Sequence, residues 1–342
     1  MKDDYIKGTA TFVMAHWRQD NDASRIHLEE AIDGICRQTD DNWQLVIIDD
    51  KSPCQEAIEY LKIISEKNPE KIKVIFKETN DGPGICRNIG IEWAYKHNSH
   101  IILFNDADDI SDPKRLETVR RIFCENPEAN VVYSTFSVID ENSNPVNESK
   151  LTPSILEILE GHKNNPIQGK NAWILIGTEL GYTNLTSSTS VKTAVAYKYP
   201  FPSERVSEDQ HAWLRYSAGG GCFIYSGDIP SLYRIPQGTP TVSRSRINEY
   251  YVQKAEVDTK GFLEAIRIAE ENGSIPLNER DDLLISFYVK LAETLGREQE
   301  YELANQQIVK ATAISKEKTR KVLEKRKLDD RSWACVGQKG WK

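Results

Sequence analysis

Residues 106–109 read Asp-Ala-Asp-Asp, three carboxylates directly behind the apolar run Ile101, Ile102, Leu103, Phe104 and Asn105. Four apolar residues in a row suit a strand buried on both faces of a parallel sheet. Carboxylates at the carboxyl end of such a strand stand where open α/β sheets bind their ligands. Crowded there, they repel one another and favour a cation. A hard divalent ion takes oxygen ligands and keeps positions open for phosphate oxygens, so Asp106 and Asp108 could hold Mn2+ or Mg2+, and the ion a diphosphate. The other use of the same residues is a turn leading into a helix, with Asp112 as N-cap and Pro113 at the first helical position.

Two more acidic pairs sit at element ends. Asp49 and Asp50 close the apolar run Trp43–Ile48, where a carboxylate can accept the N–H of a pyrimidine ring, and Ser52 is available to cap the next helix and leave them free. Glu208 and Asp209 open a helical stretch running to Ala218, either as capping acids of its first turn or as reacting groups. Gly82, Gly84 and Gly90 surround Arg87 and Asn88, but their spacing is not that of a dinucleotide-binding loop.

The elements that must carry these groups alternate. Strands are expected at 9–15, 43–48, 71–76, 101–104 and 130–138, with helices at about 24–38, 55–68, 85–97 and 113–124 between them. That order implies a mostly parallel, doubly wound α/β sheet with right-handed crossovers. Beyond Asp140 the rhythm breaks: residues 141–170 read as a polar loop over the site around one short helical stretch at 154–160. Strand-like pieces resume at 184–195, and Cys222–Tyr225 reads as a last strand. From about Arg246 to Lys327 the text is helical, broken at Asn272–Pro276. The expected organisation is a domain at 1–245, with a nucleotide-binding half at about 9–140 and an acceptor half at about 141–245, followed by a helical extension at 246–342.

Composition narrows the classes. A 342-residue chain with 39% hydrophobic and 28% charged residues can build a sizeable core, and a net charge of -8 argues against nucleic acid as a partner. Six scattered cysteines without zinc spacing read as reduced thiols. No apolar run approaches the ~18 residues of a span, and MKDDYIKGTATF lacks the apolar core of a signal peptide, so a cytoplasmic protein is expected, free or peripheral at the inner face of the membrane. The run from Lys316 to Arg331, with eight bases against four acids, reads as a solvated helix face or as a membrane contact through anionic lipid. Apolar spacing at Leu283, Leu284, Phe287, Val289 and Leu291 leaves room for a homodimer.

Four motifs, IIDDKS at 47–52, NDGPGICRNIG at 80–90, FNDADD at 104–109 and SEDQHAWLR at 207–215, match in order and spacing those of family 2 glycosyltransferases, and the chain resembles that family over about residues 9–235. The resemblance implies the GT-A fold and metal-assisted, inverting transfer from a nucleotide sugar, most plausibly a UDP-sugar, to a hydroxyl of a polysaccharide, lipid-linked glycan or related acceptor. It assigns Asp49 and Asp50 to the uracil or thymine, and Arg87 to a place near the base, paired with those acids. It gives Asp106 the ribose or a water-mediated metal contact, Asp108 direct metal ligation, and Asp209 the role of general base, with Glu208 orienting acceptor or base. Arg244 and Arg246, on a loop behind the last strand, become phosphate contacts or an exposed basic turn. The family's usual Pro-x-x-Asn turn after the first strand is absent; His16 and Trp17 stand there instead, to pack on the nucleotide base or to close a strand end. A nucleotidyltransferase would carry a glycine-rich, basic N-terminal loop, which TATFVMAHWRQDN lacks; a nucleotide-sugar-binding module without turnover would keep the pocket and dispense with Asp209.

Overall fold

The computed structural model describes residues 8–19, 25–237 and 247–328. An eight-stranded sheet runs through the molecule in the order β3-β2-β1-β4-β7-β5-β8-β6. Its strands are β1 (Ala10–His16), β2 (Trp43–Asp49), β3 (Ile72–Phe76), β4 (Ile101–Phe104), β5 (Ala129–Ile139), β6 (Gly169–Lys170), β7 (Thr189–Lys192) and β8 (Cys222–Arg234). The first four are parallel neighbours, as the alternating text requires, since each return passes through a helix: α1 (Arg25–Cys36), α2 (Gln55–Lys67) and α3 (Pro83–Lys96). Side chains alternate across the sheet. Phe12, Met14, Leu45, Ile47, Ile101 and Leu103 face α1 and α4 (Arg115–Glu125), while Val13, Val46, Ile48, Ile102 and Phe104 face the opposite core.

Close packing of α3 on the sheet depends on Gly90, because a Cβ there would stand 2.4 Å from Val13 Cγ1. Gly82, at φ 93°, ends the loop that feeds α3, and Pro83 follows at the first helical position.

The second half departs from the expected text. β7 enters antiparallel between β4 and β5, and β6 pairs antiparallel with β8, so the sheet is mixed at this side. The stretch expected as loop carries a twelve-residue helix, α5 (Pro153–Asn164), and α6 (Ala172–Leu175) continues into a π-helical turn at Ile176–Leu180. After α7 (Thr193–Lys198) and α8 (Glu208–Ala218), β8 runs on to Arg234 rather than ending at Tyr225.

Helices α9 (Tyr250–Glu271), α10 (Arg280–Arg297), α11 (Tyr301–Ile314) and α12 (Lys316–Lys325) complete the described chain. They are built onto the same core as the sheet. Phe262 of α9 lies against Trp173 of α6 at 5.3 Å between centroids and stacks on Phe287 of α10 at 4.4 Å, within an apolar cluster that reaches Val13 and Phe104. Among the described residues no helix is long and apolar enough to cross a membrane.

Candidate functional site

Arg87 links the strand-end acids to α8. It projects from α3, is 5% exposed, and donates through Nη2 to Asp106 Oδ1 at 2.9 Å and through Nη1 to Glu208 Oε1 at 2.8 Å. Burial works against the charge, but Asp106 and Glu208 more than restore it, so the guanidinium stays protonated. The expected pairing of Arg87 with Asp49 and Asp50 is not what the fold provides: α3 turns Arg87 toward β4 and α8, and the acids at the end of β2 find other partners.

Those partners are local. Asp49 accepts from Ser52 N at 2.9 Å and Ser52 Oγ at 2.5 Å, and lies 2.8 Å from His16 Nδ1. Burial pushes its carboxyl up, yet the bonds from His16 and Ser52 hold it below the ordinary range. Ser52 therefore serves Asp49, while α2 begins behind Cys54. Asp50 binds Lys77 and accepts the backbone N–H of Asp81 at 2.9 Å and Gly82 at 2.7 Å, which fixes the loop in front of α3. Asp50 still lines a cavity of about 500 Å3 together with His16, Trp17, Lys51, Asn80 and Arg205. Trp17 stands 46% exposed at this cavity, whereas His16 is buried against Asp49.

Asp209 is the second residue of α8. Ser207, before it, holds a left-handed conformation at φ 57°, which for a serine is paid for only where its surroundings impose it. Here they do: Ser207 Oγ donates to Asp258 Oδ1 at 2.5 Å and lies 3.2 Å from Lys254 Nζ, and Lys254 pairs with Asp258 Oδ2 at 2.8 Å. Asp209 is partly buried, and protein surrounds it closely enough that desolvation dominates: burial lifts its carboxyl to about 6, against the opposing pull of Arg87. Glu208, Asp209, Arg87 and Asp106 line one cavity of about 510 Å3, whose far wall comes from α5, α9 and α10. This cavity and the one beside Trp17 share Pro83 and Arg205.

Behind Asp106 the loop is held from several sides. Asp106 N donates to Ser187 Oγ at 2.9 Å, Arg234 Nε donates to the carbonyl of Asp108 at 2.8 Å, and Arg234 N donates to Asp109 Oδ1 at 2.8 Å. Asp109 is 1% exposed; burial, then Asp108 and Asp106, raise its carboxyl well above the usual range. Arg115, fully buried beneath, donates to the carbonyl of Thr189 at 2.9 Å and is lowered to about 9 by burial. Ser207, Arg234, Arg115 and Lys254 escaped the sequence reading. A Lys254/Asp258 spacing of four looks like any surface helix pair, and nothing in the text marks Arg115 or Arg234 as buried.

Asp106 and Asp108 offer hard carboxylate oxygens, the right chemistry for Mg2+ or Mn2+. Among the described residues no three or more His, Cys, Asp or Glu side chains converge as a metal-binding group. The pair thus fits an ion held by one or two carboxylates and completed by phosphate oxygens and water, not a closed protein cage. Arg244 and Arg246 lie outside the described residues.

Comparison with known proteins finds relatives in sequence and in fold. An uncharacterized glycosyltransferase of Methanocaldococcus jannaschii is 27% identical over 238 residues, covering 68% of this chain and 76% of its own. Alignments to further curated relatives span about half of their own length or less. Staphylococcus aureus TarS 1–349 in complex with UDP-GlcNAc superposes with a TM-score of 0.53 at 18% identity, over 93% of this chain and 91% of that one. The mannosyltransferase PcManGT of Pyrobaculum calidifontis, in complex with GDP-Man and Mn2+, gives 0.53 at 15% identity, over 91% and 81%. Fold and relatives define a glycosyltransferase with the GT-A architecture. Residues 27–183 match the model named Glycosyl transferase family 2.

Proposed function

We propose that the enzyme is a metal-assisted, inverting glycosyltransferase that moves a hexose or N-acetylhexosamine from a UDP-sugar to a hydroxyl of a polysaccharide, lipid-linked glycan or related acceptor, on the cytoplasmic side of the membrane. The observation that carries this reading is the Arg87 bridge, which sets Asp209 on the same cavity wall as Asp106. The nucleotide occupies the cavity beside Trp17 and Asp50, and its diphosphate passes Arg205 toward Asp106 and Asp108. Asp106 and Asp108 would hold the divalent ion, which supplies charge neutralisation to the departing nucleoside diphosphate. The neighbour solved with Mn2+ supports that assignment.

Asp209 takes the proton of the acceptor hydroxyl. The acceptor oxygen forms its bond to the anomeric carbon as the bond from that carbon to the diphosphate oxygen breaks on the opposite face, so the configuration inverts. A carboxyl lifted to about 6 suits this work, because a base is most effective when its pKa lies near the operating pH. Arg87 holds Glu208 and Asp106 in place through its two hydrogen bonds.

Asp209→Asn tests the reading. Transfer should fall by about 10²–10⁴-fold, the usual worth of a general base, while nucleotide affinity changes little. Product from the wild type should show inverted anomeric configuration by NMR. Unaltered transfer by the variant would remove Asp209 from the mechanism, and retained configuration would refute in-line displacement.

A further inference from the structure

The cavity that holds Asp209 extends away from the strand ends toward α10, where apolar Ile155, Ile176, Leu180, Leu291 and Leu295 alternate with polar Glu157, Thr294 and Glu298. Lys290 stands among them. It is 5% exposed, it lines the cavity, and its ammonium makes no hydrogen bond among the described residues. Among the described residues the one carboxylate within 4 Å is Glu293, at 3.9 Å, beyond hydrogen-bond distance. Glu293 is already engaged by Arg326 at 2.5 Å and Arg297 at 2.6 Å.

A buried ammonium without hydrogen-bond acceptors is costly, and the cost is removed when an anion enters. Burial pushes the Lys290 ammonium below its ordinary range, with Glu293 and Glu157 opposing and Arg297 and Arg326 adding to the shift. Lys254, in the same cavity, differs: its partner Asp258 lies at 2.8 Å and its charge is answered within the fold. Lys290 is the cation of this wall that the fold leaves short of acceptors.

We infer that Lys290 forms an anion-recognition subsite of the acceptor cavity, so that the acceptor carries a carboxylate or phosphate remote from the hydroxyl that reacts. This rests on the glycosyltransferase reading for the word acceptor, but the binding itself does not require turnover. The burial of Lys290 limits screening by water and lets one ion pair there discriminate charged from neutral sugars.

The test is binding of three monosaccharide probes to the full chain, read by NMR of 13Cε-labelled lysine: glucuronic acid, glucose 6-phosphate and glucose. The Lys290 signal, assigned by its absence in Lys290→Met, should move with one or both acidic sugars and not with glucose. The arm that responds identifies carboxylate or phosphate as the natural group. Lys290→Met should weaken the responding sugar about tenfold or more, the usual worth of a charge-assisted bond, and Lys290→Arg should retain most of it. A Lys290 signal indifferent to both acidic sugars, or an acid preference undiminished in folded Lys290→Met, would overturn the proposal. Nucleoside diphosphate titrated into the same samples separates the two levels: a lost donor site refutes the transferase reading and leaves the lysine result standing.

Discussion

Asp209 owes its character to opposed neighbours. Desolvation raises its carboxyl, and Arg87 from α3 and Lys254 from α9 pull it back, to about 6. The sign follows directly: above that value the carboxylate is ionised and can accept a proton, below it the group is already protonated. The rate of transfer should therefore be fully present above about pH 7 and fall toward tenfold per pH unit below about pH 5. A pH profile of kcat/KM checks this, and a profile flat down to pH 4 would show a different base. Asp209 and Glu208 were legible as a pair in SEDQHAWLR, but the partners that fix them were not. Arg87 is 121 positions away from Glu208, and only the fold decides that it meets Glu208 and Asp106 rather than Asp49. His16 is the converse case: its type and position were noticed, but its bond to Asp49 exists only because β1 and β2 run side by side in register.

Strand-end chemistry depends on how α3 lies against β1. Val13 Cγ1 occupies the space where a Cβ of residue 90 would go, so Gly90→Ala must push the helix off the strand that neighbours β4. Overpacking of this kind costs about 1–3 kcal/mol, and denaturant unfolding of Gly90→Ala should show a loss in that range. An unchanged midpoint would mean that α3 shifts freely. Strands β1 to β4 could be read from the text because each is a mostly apolar run ending in polar residues. β7 lies within the strand-like stretch expected at 184–195, but its antiparallel place between β4 and β5 was not legible, because Thr189-Ser190-Val191-Lys192 is polar by composition while its first three residues are buried. Its neighbour Asn184 donates to Thr189 Oγ1, and Thr189 Oγ1 in turn donates to the carbonyl of Leu185, so the Thr189 hydroxyl is satisfied inside the fold in a way that composition does not reveal. The helix α5 was legible at 154–160 but not over its last turn, where Gly161 and Asn164 read as loop residues.

Across the whole molecule, the helices after residue 246 do more than follow the sheet. α9 carries Lys254 and Asp258 to the N-terminus of α8, and α10 carries Lys290 to the far wall of the cavity, so the segment read as an extension supplies part of the site. The basic run of α12 is largely answered by acids of the fold: Lys318 by Asp282, Lys321 by Glu317, and Arg326 by Glu179 and Glu293. On the proposed function, the two cavities that share Pro83 and Arg205 hold a nucleotide sugar over Asp106 and Asp108. Calorimetric titration of the purified protein with nucleoside diphosphates and nucleotide sugars, each with and without Mn2+, tests it most directly. Metal-dependent binding of a uridine nucleotide, lost in Asp108→Ala, is expected. Failure of every nucleotide to bind the folded protein in the presence of Mn2+ would contradict it.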